Sequence, residues 1–70
     1  MTTRQIELLN RLRQIIDRYV DDPGKRGVLK AQVSPSTVKG TLAEIDSLAA
    51  GRPFSPEDAE AIKDIYFHFC

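Results

Sequence analysis

The chain has little of what stabilises very small proteins through covalent or metal bonds. Its 70 residues include one cysteine, one histidine and no tryptophan. A lone cysteine excludes a disulfide within the chain, and His68 and Cys70 are too few for a metal site. At this length only about 60% of the surface exposed by the unfolded chain is buried on folding, so the core is marginal. We therefore expect self-association, most simply a homodimer, or another partner, and we expect no metal or cofactor.

The sequence also lacks long apolar runs, a secretory leader and a net charge. Its longest apolar runs are two or three residues, which excludes a membrane-spanning helix. The single cysteine and the missing leader predict a reducing, cytoplasmic setting. Charge is uneven: residues 1–40 carry eight basic and four acidic side chains, whereas residues 41–70 carry two and six. A nucleic-acid-binding surface requires an excess of basic residues. Only residues 1–40 have such an excess, and it is small.

Catalytic residue patterns are absent as well. His68 is the only histidine, no partner lies beside it in the sequence, and Cys70 is the last residue. A Cys/His nucleophile pair needs a formed pocket and a third, orienting group, which so small a chain can hardly enclose. We predict no enzyme activity and no small-molecule substrate.

Helical periodicity dominates the chain and predicts one all-α domain over residues 1–70, a small three- to four-helix bundle. A first helix is predicted from about Arg4 to Val20, with Thr2 and Gln5 at capping-box spacing. Its apolar residues cover about half of its circumference, which indicates packing on more than one neighbour, including one from another chain. Residues 21–24, Asp-Asp-Pro-Gly, are expected to end it.

The middle of the chain is ambiguous. In residues 25–33, Gly27 weakens a helix and the valines suit an extended segment, so we favour a helix of at most two turns. The next helix is predicted to start at Ser34 or Ser36, with Ser34 as N-cap and Pro35 in the first position. Its predicted apolar stripe consists of Val38, Leu42, Ile45, Leu48 and Ala49. Ala50-Gly51 is predicted to end the helix.

The last helix has the clearest start. Ser55 caps it, Pro56 takes the first position, and Glu57 and Asp58 meet the positive end of the helix dipole. One face is predicted to carry the apolar side chains, and Phe67 falls outside it and is expected to be exposed. The predicted face consists of Ala59, Ile62, Ile65, Tyr66 and Phe69.

One segment resembles a known family. "SPSTVKGTLAEIDSL" is similar to the recognition helix of LuxR-type helix-turn-helix domains, which run Ser-x-x-Thr-Val-Lys-x-x-Leu-x-x-Ile. The pattern falls on Ser34, Thr37, Val38, Lys39, Leu42 and Ile45, and "TTRQIELLNRL" echoes the family's opening at Thr2, Arg4 and Leu9. The resemblance implies a transcription regulator that acts as a dimer and places this helix in the major groove.

The departures from that family are equally specific. About six extra residues separate the two matching stretches, Gln32 stands where the family turn has glycine, and Thr41 replaces a histidine. Glu44 and Asp46 add negative charge that phosphates would repel. The plainer interpretation of the segment is a capped structural helix.

Two functions follow from these patterns. In the first, DNA binding, Ser36, Thr37 and Lys39 approach bases while Lys25, Arg26 and Lys30 hold phosphates. The second is a small protein-binding inhibitor or adaptor, of the kind that phages encode, acting through helix 1 and the C-terminal aromatic helix. Its predicted interface comprises Leu8, Ile15, Tyr19, Tyr66, Phe67 and Phe69. The simpler alternative is that Phe67 is a homodimer contact or is partly buried.

Overall fold

Four helices surround one apolar core in the computed structural model, which describes residues 2–49 and 51–69. They are α1 (Thr3–Tyr19), α2 (Pro23–Gln32), α3 (Val38–Leu48) and α4 (Pro56–Phe69). The described residues form no strand, so the predicted all-α bundle is confirmed. None of these helices is long and apolar enough to cross a membrane.

Helix α1 lies at the centre of the bundle. The predicted capping box is present, because the Thr2 hydroxyl accepts the Gln5 N–H and the Gln5 side chain accepts the Thr2 N–H. The helix contacts α2, α3 and α4, so its wide apolar face is covered by three neighbours from the same chain. The core consists of Leu8, Leu9, Leu12, Ile15, Ile16, Val20, Leu29, Val33, Val38, Leu42, Ile45 and Ile65.

Helix α2 is longer than predicted, with ten residues instead of two turns. The Asp22 carboxylate caps it by accepting the N–H groups of Gly24 and Lys25, and Pro23 occupies the first position. The segment that was expected only to end α1 therefore also begins α2. Gly27 is exposed and does not break the helix, since one glycine inside a helix costs only about 1 kcal/mol relative to alanine.

Helix α3 begins later than predicted, at Val38. Residues 34–37 form a turn, so the prediction that Ser34 caps this helix with Pro35 inside it is wrong. The Thr37 hydroxyl donates to the Gln32 carbonyl and accepts the Ser34 N–H, and Thr37 stands at the N-cap position without capping the helix. The predicted apolar stripe is confirmed, since Val38, Leu42, Ile45 and Ala49 are buried and Leu48 is half-buried.

The α3–α4 connection and the start of α4 follow the predicted signals. Gly51 has φ 82°, a left-handed conformation that glycine adopts without steric cost, whereas Ala50 lies outside the described residues. The Ser55 hydroxyl accepts the Asp58 N–H at 3.2 Å, and Pro56 opens the helix. Tyr66 is the exception on the predicted apolar face of α4, because its side chain is exposed.

Candidate nucleic-acid interface

The α2–α3 connection holds the N-terminal end of α3 at the surface. Val33 and Val38, on either side of the turn, are buried and fix both helices to the core. Between them, Pro35, Ser36 and Thr37 are exposed. Because the Thr37 hydroxyl is held by the carbonyl of Gln32, we infer that the turn is anchored to the end of α2.

Two of the six predicted DNA contacts, Lys25 and Lys39, present free charged groups, and the hydroxyl of a third, Ser36, lies 3.2 Å from that of Ser34. The side chains of Ser36, Lys39 and Lys25 are exposed, and neither lysine makes an ion pair within residues 2–49 and 51–69. Thr37 is exposed as a residue, yet its hydroxyl is already engaged in the turn. Thr41, which stands where the family has a histidine, is buried and cannot reach DNA.

The other two predicted phosphate contacts, Arg26 and Lys30, hold α2 against α1. The Arg26 Nε donates to the Val20 carbonyl at 2.9 Å, which satisfies an acceptor at the end of α1. Lys30 Nζ lies 3.0 Å from both oxygens of Asp17. Arg26 and Lys30 thus have partners at α1, but the Lys30–Asp17 pair is partly exposed and competes only weakly with phosphate, so their assignment as phosphate contacts stays a prediction.

The outer ridge of α3 is defined by Lys39, Gly40 and Ser47, which are exposed and line neither of the two grooves beside the helix. Glu44 lines the groove towards α2, and Asp46 lines the groove towards α4. Asp46 nevertheless comes seven residues, about two helical turns, after Lys39 and so lies on the same side of α3, whereas Glu44 lies towards α2. A Cβ added at Gly40 would meet no atom within 4 Å, so nothing inside the fold requires glycine there.

A buried carboxylate at the start of α4 is the polar site that the sequence did not reveal. Asp58 is 1% exposed and accepts bonds from Arg18 Nη1 at 3.0 Å to each oxygen, from the Tyr19 hydroxyl at 2.7 Å and from Arg11 at 3.3 Å. The Tyr19 oxygen in turn accepts the Ser55 N–H at 3.0 Å. This Asp58 network ties the first turn of α4 to α1.

Burial by itself raises the pKa of Asp58, because the carboxylate loses water. Hydrogen bonds from Tyr19, Arg18 and Ser55, with the positive charge of Arg18, outweigh that effect and lower the pKa below its ordinary value of 3.8. The group is therefore a structural anion, and it is not poised for acid–base chemistry near neutral pH.

The arginines of α1 account for the uneven charge of the chain. Arg4, Arg11 and Arg18 recur every seven residues and reach acidic side chains of α4: Arg4 binds Asp64 at 2.8 Å, and the other two bind Asp58. A seven-residue arginine spacing was the available signal, but identifying its partner requires knowing that α4 packs on α1.

The predicted protein interface is divided by the fold. Leu8 and Ile15 are 2% and 0% exposed, so the structure assigns them to the core and corrects their assignment to a partner surface. Tyr19 is half-buried, packs edge-on against Phe54 and belongs to the Asp58 network. Phe69 is half-buried against the core. Phe67 is 86% exposed and Tyr66 is also exposed, so these two aromatic residues remain available to a partner.

No three histidine, cysteine or acidic side chains lie close enough together to hold a metal ion in the described part of the chain. His68 is exposed and stacks edge-on against Phe67 at 5.4 Å between ring centroids, whereas Cys70 lies outside the described residues.

Comparison with known proteins found no match for this small four-helix bundle. No family model matches it, and no curated protein and no solved structure is significantly similar to it.

Proposed function

We propose that this chain is a small DNA-binding regulator of helix-turn-helix type. The N-terminal half of α3 faces the duplex, with Lys39 and Ser36 at the contact surface. The proposal includes a cytoplasmic location, consistent with the single cysteine.

The observation that carries the proposal is the exposed end of α3 after an anchored turn. A reading helix needs one stripe packed on its domain and its first turns open to base edges. Val38, Leu42 and Ile45 supply the buried stripe, while Ser36 and Lys39 lie on the open side. Lys39 has no acidic partner in the described residues, so its charge is available to DNA.

Two further features support the same face. The missing side chain at Gly40 leaves the backbone open to close approach. Lys25, exposed in the first turn of α2, is a further candidate for a phosphate contact.

Lys39→Ala is expected to weaken binding to a mixed-sequence duplex and to lower its salt dependence. With two phosphate-neutralising lysines per chain, wild-type affinity should fall about tenfold between about 50 and about 200 mM salt, and Lys39→Ala should reduce the log–log slope by about one. Fluorescence anisotropy of a labelled duplex measures both. Arg4→Ala is the control, because Arg4 lies between α1 and α4, away from α3. No binding of the wild-type chain at the lower salt would refute DNA binding.

Gly40→Ala and Gly27→Ala form a matched pair that separates stability from binding. Both glycines lie inside helices, and an added Cβ would meet no atom within 4 Å, so each change should raise the free energy of unfolding by about 1 kcal/mol. Only Gly40→Ala puts a methyl group on the ridge, and it should weaken DNA binding roughly fivefold or more. Equal DNA affinity of the two variants would contradict close approach at Gly40.

Protein binding is the second candidate function, favoured by the exposure of Phe67. Its predicted surface is reduced to the aromatic end of α4, because the helix 1 residues assigned to it lie in the core or in the Asp58 network. An exposed aromatic side chain of this size is typical of interface centres.

A further inference from the structure

The outer face of α4 carries the most exposed large apolar side chain in the described part of the chain. Phe67 is 86% exposed, and Lys63 lies one helical turn before it. The Lys63 Nζ lies 3.7 Å from the Glu60 Oε1, and both side chains are about three-quarters exposed. This ion pair therefore holds Lys63 weakly. The projecting ring with a cation beside it is half of a docking surface.

The other half is a groove between α3 and α4. It has a volume of about 310 Å³, and the side chains that line it are apolar except for Asp46 and the hydroxyl-bearing Tyr66. An apolar cavity of roughly 150 Å³ is enough to hold a benzene ring, so the groove has room for one aromatic side chain. Asp46 is exposed and makes no ion pair within the described residues. The groove is lined by Leu42, Ala43, Ile45, Asp46, Phe54, Ile62 and Tyr66.

We propose that the occupant of this groove is Phe67 of a second copy of the chain. Helix α4 supplies both the projecting ring and, through Ile62 and Tyr66, one wall of the groove. A surface that presents a projection and its receptor side by side is self-complementary, as a two-fold symmetric interface requires. Two such insertions related by the symmetry axis form the dimer.

The charges favour the same occupant. When Phe67 enters the groove, Lys63 follows at about 6 Å along the helix and meets the rim where the partner's Asp46 lies. The reciprocal pair forms on the other side of the axis. Burying both aromatic side chains of each chain removes on the order of several hundred Å² from water, a large share of the ~1,200 Å² of the smallest standard interfaces.

Sedimentation velocity over a concentration series, in the absence of DNA, tests the dimer independently of the proposed function. Wild-type protein should dimerise, and Phe67→Ala should weaken dimerisation at least tenfold. Val28→Ala is the control, because Val28 is also an exposed apolar residue but lies on α2. Since both side chains are exposed, helical content by circular dichroism should stay unchanged in each variant.

Charge reversal tests the arrangement itself. Asp46→Lys and Lys63→Asp should each weaken the dimer several-fold by placing like charges together, and the double variant should recover to within about threefold of wild type. Three results would each overturn the proposal: a wild-type chain that stays monomeric, a Phe67→Ala variant that dimerises normally, or a double variant no better than the singles. If the wild-type chain is monomeric, the exposed Phe67 would be a contact for a different protein.

Discussion

Asp58→Ala is expected to lower the free energy of unfolding by about 3 kcal/mol. The substitution removes the acceptor for two arginines and a tyrosine hydroxyl, and breaking a buried ion pair from one side typically costs about 3–5 kcal/mol. Arg11 and Arg18 are 33% and 54% exposed, so they regain water and the cost falls at the lower end of that range. Urea unfolding followed by circular dichroism measures the loss.

The control for this prediction is Asp64→Ala, on the same helix. Asp64 pairs with Arg4, but both side chains are about half exposed, and such surface pairs contribute about 0–1 kcal/mol. We therefore expect Asp64→Ala to differ little from wild type. If the two alanine variants unfold at the same urea concentration, the Asp58 network does not anchor α4.

The same carboxylate sets a pH dependence of known sign. The pKa of Asp58 is lowered in the folded chain, so the ionised form contributes stability that is fully present above 3.8, its ordinary value. That contribution is lost as the pH falls through the lower, folded pKa. The stability difference between wild type and Asp58→Ala should therefore be constant near neutral pH and shrink below about pH 4. A difference that grows on acidification would have the wrong sign.

The helix starts show how far local sequence determines this fold. Two Ser-Pro pairs occur, and only the second begins a helix. After Pro56 come Glu57 and Asp58, which suit the positive end of a helix, and Asp58 is held by α1 as well. After Pro35 come hydroxyl residues, and the Thr37 side chain bonds back to α2. A local cap competes with a local turn at both sites, and the sequence pattern alone did not separate them.

The charge pattern shows what the sequence could not provide. The excess of basic residues in the first part of the chain was interpreted as a weak nucleic-acid signal. In the fold, three α1 arginines and Lys30 are paired with acidic residues of the same chain. Those pairings join residues 13 to 60 positions apart, so they depend on helix packing and not on spacing within one helix. Of the predicted DNA contacts, Lys25 and Lys39 keep charges without an acidic partner among the described residues.

Ile15→Ala is expected to lower the free energy of unfolding by about 3–4 kcal/mol. The side chain is 0% exposed between α1 and its neighbours, and truncating a buried isoleucine to alanine costs about 2–5 kcal/mol through lost burial and the cavity left behind. A chain of this length has a total stability of only about 4–10 kcal/mol, so the variant keeps at most about 7 kcal/mol and is barely folded at the lower end of that range. Ile15→Val, with an expected loss of about 1 kcal/mol, is the measurable substitute if the alanine variant does not fold.

Ile6→Ala is the matched control, with the same residue type on the same helix but a side chain that is 48% exposed. Its expected cost is below about 1 kcal/mol, because most of the side chain is already in contact with water. The pair also tests the role first assigned to Ile15. A residue that served a partner surface would change the dimerisation constant and leave the unfolding of the monomer nearly unaltered. A core residue must alter the unfolding of the monomer and leave the dimerisation constant nearly unchanged. Equal unfolding midpoints for Ile15→Ala and Ile6→Ala would show that α1 is not packed as the structure places it.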